Sequence, residues 1–289
     1  MSRRDEILLA CQKVVAMPTC IRKAGALLDG LETEPARLAR IIEHDPGLTA
    51  NLLKVVNASD LASDRPVLTA RAALDVLDSP EVLRFFISTG VAPYYVNIIA
   101  GYDQAPSQFL QHSTTVAIAS RELATALNLD VPDYVFTAGL LSGIGKLLLG
   151  AYVQVDLREI LHMVFDEGMA FDRAEERMLG TNHAELGGIM LHNWGLPDAL
   201  TRVVCNHLRP DEYEGQDVVL DLVHVGNVLA KMIGVGLGAD GLNYEVSSEV
   251  VERLGITSEV LDHVSVEVVI ELQSLWDLFL ECSDDFCSF

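Results

Sequence analysis

The chain has 289 residues, half of them hydrophobic, and carries 42 Asp and Glu against 20 Lys and Arg, for a net charge of −22. That length provides for one large domain or two modest ones around a sizeable core. So acidic a body repels phosphate backbones and anionic lipid, which excludes nucleic acid and membrane surfaces as expected partners.

The opening Met1-Ser2-Arg3-Arg4-Asp5-Glu6 turns acidic before any apolar run, a poor start for a signal peptide. Apolar residues recur at helical spacing over residues 2–16, 34–43 and, from Pro46, at Leu48, Leu52, Leu53, Val55 and Val56. Thr33-Glu34-Pro35, Asp45-Pro46 and Ser79-Pro80-Glu81 each put a capping side chain at or just before a first-turn proline. The helical period returns over 69–77 and, past the polar break Gly101-Tyr102-Asp103-Gln104-Ala105-Pro106, over 107–127. The most apolar long stretch, 134–153, holds Lys146 and is interrupted by glycines, so it reads as a buried helix with a loop rather than a membrane span. Helical spacing then marks 157–166 and, after a second break at 209–216, 217–233 and 264–280. Val264 to Ile270 is rich in valine but runs into Glu271-Leu272-Gln273-Ser274-Leu275-Trp276, which argues for helix. Strand-like alternation is nearly absent. The expected fold is all-α, more than half helical, built as two packed helical sub-bundles. Its segments are 1–105, an N-terminal bundle, 106–235, a central core, and 236–289, an acidic tail of helices.

Five cysteines, Cys11, Cys20, Cys205, Cys282 and Cys287, are an odd number at wide spacing with no C-x-x-C. They read as reduced thiols of a cytoplasmic protein. Gly236-Leu237-Gly238-Ala239-Asp240-Gly241 satisfies G-x-G-x-x-G, but it follows a helix and lacks the strand that gives the pattern its meaning. Gly143-Ile144-Gly145-Lys146 fails as a phosphate loop, since Leu147 stands where a Ser or Thr would hold magnesium. Both read as loops. His112, His183, His207 and His224 fall on or near different helices that a bundle could bring together, yet Glu185 is the only close carboxylate at the expected places. From Ala239 to Phe289 twelve Asp and Glu face one basic residue, Arg253. That end reads as a solvated helix face, with docking of a basic partner as the alternative.

The run from Ile41 through Glu43-His44-Asp45-Pro46-Gly47-Leu48 to Asn57 resembles the N-terminal signature of the HDOD family, the HD-related output domains of bacterial signalling proteins. Three later segments resemble the same family in the right order: Thr137 to Leu147 with Gly145 and Lys146, then Glu176-Arg177 with Gly180, His183, Gly187, Trp194, Leu196 and Pro197, and last Asn206-His207 with His224 to Ala230. The likeness spans about residues 12 to 235.

The resemblance implies a helical fold related to the HD and HD-GYP phosphohydrolases, whose active members hold metal with a first histidine, a His-Asp pair and a late aspartate. Here the first histidine corresponds to His112, the pair to Ser142 and Gly143, and the late aspartate to Asn227. Three of the four ligand positions are thus degraded, and hydrolysis has no metal-bound water to use. The expectation is a non-catalytic signalling module, without cofactor or metal, that works as a protein-interaction scaffold. Its vestigial pocket is lined by His112, Ser142, Gly143, His183, His207 and Asn227, and its family signature positions are Asp45, Pro46, Leu48, Asn57, Gly145, Lys146, Trp194 and Pro197. Two alternatives stand beside it: a nucleotide or small-ligand sensor using that pocket, and a residual metal-dependent phosphohydrolase using His183, Glu185 or His207.

Overall fold

Residues 2–14, 35–58, 66–77, 99–241 and 243–282 are described by the computed structural model. About 70% of them are helical, with no strand among them, as the helical spacing predicts. The cap expected at Ser79-Pro80-Glu81 lies outside the described residues, as do Thr33, Glu34 and the side chains of Cys20, Cys282 and Cys287. Cys11 and Cys205 are free thiols.

Polar caps set several of the helix starts. Helix α1 (Arg3–Cys11) opens on a capping box between Ser2 and Asp5. After α2 (Pro35–His44), the Asp45 carboxylate accepts from the Leu48 backbone N–H at 2.8 Å and Pro46 opens α3 (Pro46–Asn57). Helices α2, α3 and α4 (Ala70–Leu77) pack on one another, and α3 also touches the second group of helices. Helix α1 instead lies against that second group, with Arg4 bonded to Glu185.

The axis of the second group is α5 (Pro106–Ala126), buried along most of its length. Around it pack α6 (Val135–Leu141), α11 (Val218–Ile233) and α13 (Ser258–Cys282). The side of α13 turned to the core carries buried Val264, Val268, Leu272 and Leu275, each contributing about 1.5–3 kcal/mol when withdrawn from water. Between α6 and α11 run α7 (Lys146–Phe165), α8 (Phe171–Leu179), α9 (His183–Asn193) and α10 (Asp198–Asn206), and α12 (Ser248–Leu254) precedes α13. The apolar stretch expected to be a buried helix with a loop is α6, a turn and the start of α7. By length and composition Val135–Phe165 could cross a membrane, but 72% of its most apolar window is buried inside the fold.

Candidate functional site

Five helices and one turn converge on one buried centre. Helix α5 brings His112. The turn after α6 brings Ser142, Gly143 and Gly145, and α7 opens with Lys146. Helix α9 opens with His183, and His207 caps the end of α10. Helix α11 adds His224, Asn227 and Lys231, spaced so that one helix face carries all three. His112, Ser142, Lys146, His183, His207 and Asn227 are each at most 4% exposed. Gly145 makes the convergence possible, because a Cβ there would overlap the His183 carbonyl and stand 2.7 Å from the Gly187 nitrogen.

The vestigial positions bond inward. His112 Nε2 lies 3.2 Å from Asn227 Oδ1, and the Ser142 hydroxyl donates to the Gly139 carbonyl at 2.8 Å. His183 is held by Glu175: its Nδ1 is 2.8 Å from Glu175 Oε2, and its backbone N–H donates to the same oxygen at 2.9 Å. The Tyr102 hydroxyl donates to the other carboxylate oxygen at 2.5 Å. The His183 and His207 rings meet edge to face, 6.3 Å between centroids. His224 Nδ1 donates to the His207 carbonyl at 2.9 Å while its Nε2 accepts from the Ser247 N–H at 3.0 Å. Those two partners fix a neutral imidazole. Burial also keeps its pKa below the usual histidine range.

The charge at the centre is supplied by lysines. Lys146 Nζ donates to Asp240 Oδ2 at 2.7 Å, and Lys231 Nζ stands 4.0 Å from the same oxygen and 3.0 Å from the Tyr244 ring centroid. Lys231 Nζ has no hydrogen-bond partner among the described residues. Burial pulls the Lys231 ammonium down to about 7, against the pull of Asp240. Burial would raise the Asp240 carboxyl, but Lys146 and Lys231 outweigh it and hold the group well below the usual carboxylate range. Burial, reinforced by both lysines, lowers His112 to about 3. His207 is driven well below its usual value by burial first, then by His183, with Lys231 adding to it.

These residues do not fit a divalent metal. A catalytic ion generally needs three or more protein ligands. Ser142 donates inward, Gly143 has no side chain, Asn227 offers a neutral amide to His112, and two ammonium groups stand nearby. Among the described residues no three His, Cys, Asp or Glu side chains form a metal-holding group. Glu185, the carboxylate considered from sequence, is bonded to Arg4 at 2.5 and 3.0 Å and to Thr181 at 2.7 Å. Glu175 holds His183 instead.

Most of the remaining signature positions are architectural. Asn57 brackets Val67, donating to its carbonyl at 2.8 Å and accepting its N–H at 2.9 Å. Leu48 is fully buried. Trp194 donates to the Val14 carbonyl at 2.9 Å and lies 4.5 Å beneath the Lys54 ammonium, while Pro197 caps α10.

Sequence reasoning missed Tyr102, Glu175, Lys231 and Asp240. Two of them had a signal: Glu175 shares a helix stripe with Phe171 and Leu179, and Lys231 stands four residues after Asn227. The glycines of the G-x-G-x-x-G stretch serve packing. A Cβ at Gly236 would stand 2.7 Å from the His112 nitrogen, and one at Gly238 would stand 2.6 Å from the Tyr102 carbonyl. The loop is pinned there by Ala239 N–H to the Tyr102 carbonyl and Gln104 to the Gly236 carbonyl, both 2.6 Å, and so delivers Asp240 to the lysines.

A family model, the HDOD domain, matches residues 14–210. Among solved structures, the response regulator MmoQ from Methylococcus capsulatus is similar with a TM-score of 0.62 at 22% identity, over 86% of this chain and 98% of its own. A second structure of MmoQ gives 0.59 at 25% identity, over 86% and 94%. A virulence factor from Campylobacter jejuni gives 0.57 at 20% identity, over 79% and 83%. No curated protein sequence matches the chain.

Proposed function

This chain belongs to the HDOD domain family, and on that premise we propose that it is a non-catalytic signal-transduction module of the cytoplasm that works as a scaffold for other proteins. The observation that carries the reading is Lys231. Its Nζ is buried 4.0 Å from Asp240, four residues after Asn227, the position that the family resemblance matches to the late aspartate of the metal-holding relatives. A divalent ion brought there meets like charge from Lys146 and Lys231 and finds no carboxylate at the ligand positions. The same packing favours a scaffold over a ligand sensor, since Ser142, His183 and His207 bond to Gly139, Glu175 and Val204 and Asn227 bonds to His112. That leaves His112 Nδ1 as the one fully buried polar side-chain atom of the vestigial set without a hydrogen-bond partner among the described residues. The description of MmoQ as a response regulator agrees with a signalling role.

Elemental analysis of full-length protein purified without chelator tests the reading. The expected result is substoichiometric iron, manganese, zinc and nickel, with no hydrolysis of a phosphodiester probe. Stoichiometric metal that disappears in His112→Ala would overturn it, as would a melting temperature raised by nucleotides.

A further inference from the structure

Helix α13 has two apolar stripes, and the core uses one. On the side away from Val264, Val268, Leu272 and Leu275, the side chains of Val266, Val269 and Ile270 are 56, 38 and 55% exposed. Their i, i+3, i+4 spacing makes them neighbours on one helix side. Exposed Glu259 and Asp262 lie on that side one to two turns earlier, and Glu267 flanks it. The helix contains no Lys or Arg. The single basic residue between Ala239 and Phe289, Arg253, is committed to Asp221 through two 2.7 Å bonds. The whole face lies beyond residues 14–210, the span of the family match. One exposed valine is ordinary, but three adjoining aliphatic side chains in an acidic frame are not what a solvated helix face carries.

We infer that this outer face of α13 is the docking surface of the scaffold, and that its occupant is a basic amphipathic helix of a partner protein. The apolar anchors of such a helix cover Val266, Val269 and Ile270, while its Lys and Arg meet Glu259, Asp262 and Glu267. A second copy of this chain does not match. Parallel pairing of two α13 helices sets each acid against itself, and antiparallel pairing about Val268 sets position 259 opposite position 277, both acidic.

The inference rests on the scaffold reading and names its surface. The test titrates the full-length protein into a labelled helical peptide with leucines at i, i+3, i+4 and i+7 and lysines between them, read by fluorescence anisotropy at low and physiological salt. Binding is expected from the wild type. Val266→Ser/Val269→Ser/Ile270→Ser should weaken it about tenfold or more at either salt, with helix content unchanged because the positions are exposed. Glu259→Gln/Asp262→Asn/Glu267→Gln should weaken it at low salt and flatten its salt dependence. Equal binding by the serine variant overturns the inference, and so does a wild-type dimer in light scattering that the serine variant disperses. Neither result alters the metal content, so this failure is distinguishable from failure of the scaffold reading.

Discussion

Gly143 and Gly145 stand two residues apart in one turn and face different neighbours. A Cβ at Gly145 meets the backbone of His183 and Gly187, which cannot move without displacing α9, whereas one at Gly143 meets only the Phe109 ring edge, at 3.4 Å. Gly145→Ala is therefore expected to destabilise the protein by about 2–3 kcal/mol, as forced overpacking does. Gly143→Ala should stay within about 1 kcal/mol of the wild type. Urea denaturation of the two variants checks the order, and equal costs would show that the turn yields as a unit. At this scale the family signature pointed to Gly145, Lys146 and the positions His112, Ser142, Gly143 and Asn227 in chain order. It said nothing of Asp240 or Tyr102, because a buried carboxylate in a loop and a tyrosine in a turn carry no period from which burial can be read.

At the scale of elements, the end of α3 is tied to Val67 by one side chain. Asn57 bonds the Leu53 carbonyl at 2.9 Å and both backbone groups of Val67, so the pairing of Val67 with the end of α3 depends on its amide. Asn57→Ala leaves those Val67 groups unpaired and should cost about 1–3 kcal/mol. Asn57→Asp keeps the acceptor but loses both donors and should fall between alanine and wild type in thermal melts. The proline-led starts of α2 and α3 and the long periods of α5 and α11 were legible from sequence. The short helices α8, α9, α10 and α12 were not. Helix α9 is apolar nearly all round, with Leu186, Gly187, Gly188, Met190 and Leu191 buried, and a helix without a polar face has no periodic contrast. The acidity of the C-terminal end was equally legible, but which side of α13 stays exposed emerges only once α5 claims the other.

For the molecule as a whole, buried cationic groups set the response to pH. His112 and Lys231 bind protons less readily folded than unfolded, so the unfolded chain holds more protons and stability rises with pH: for His112 from about 3 to its usual 6.5, and for Lys231 from about 7 to its usual 10.5. Asp240 acts in the same direction, losing its stabilisation as acid reaches it below the usual carboxylate range. Lys231→Met should stabilise the protein by about 1–3 kcal/mol near neutrality and flatten the rise above pH 7. Lys146→Met leaves Asp240 with only the more distant ammonium and should destabilise by about 3 kcal/mol. Urea midpoints measured across that range separate the two, and a lower midpoint for Lys231→Met would show that its charge holds the centre together. The Lys146–Asp240 bond also spans 94 residues of sequence. On a ribosome adding about 5–20 residues per second, Asp240 emerges roughly 5–19 s after Lys146. Through that interval the nascent chain carries an ammonium whose counter-charge has not yet been made, so the centre closes late in synthesis, from its C-terminal side.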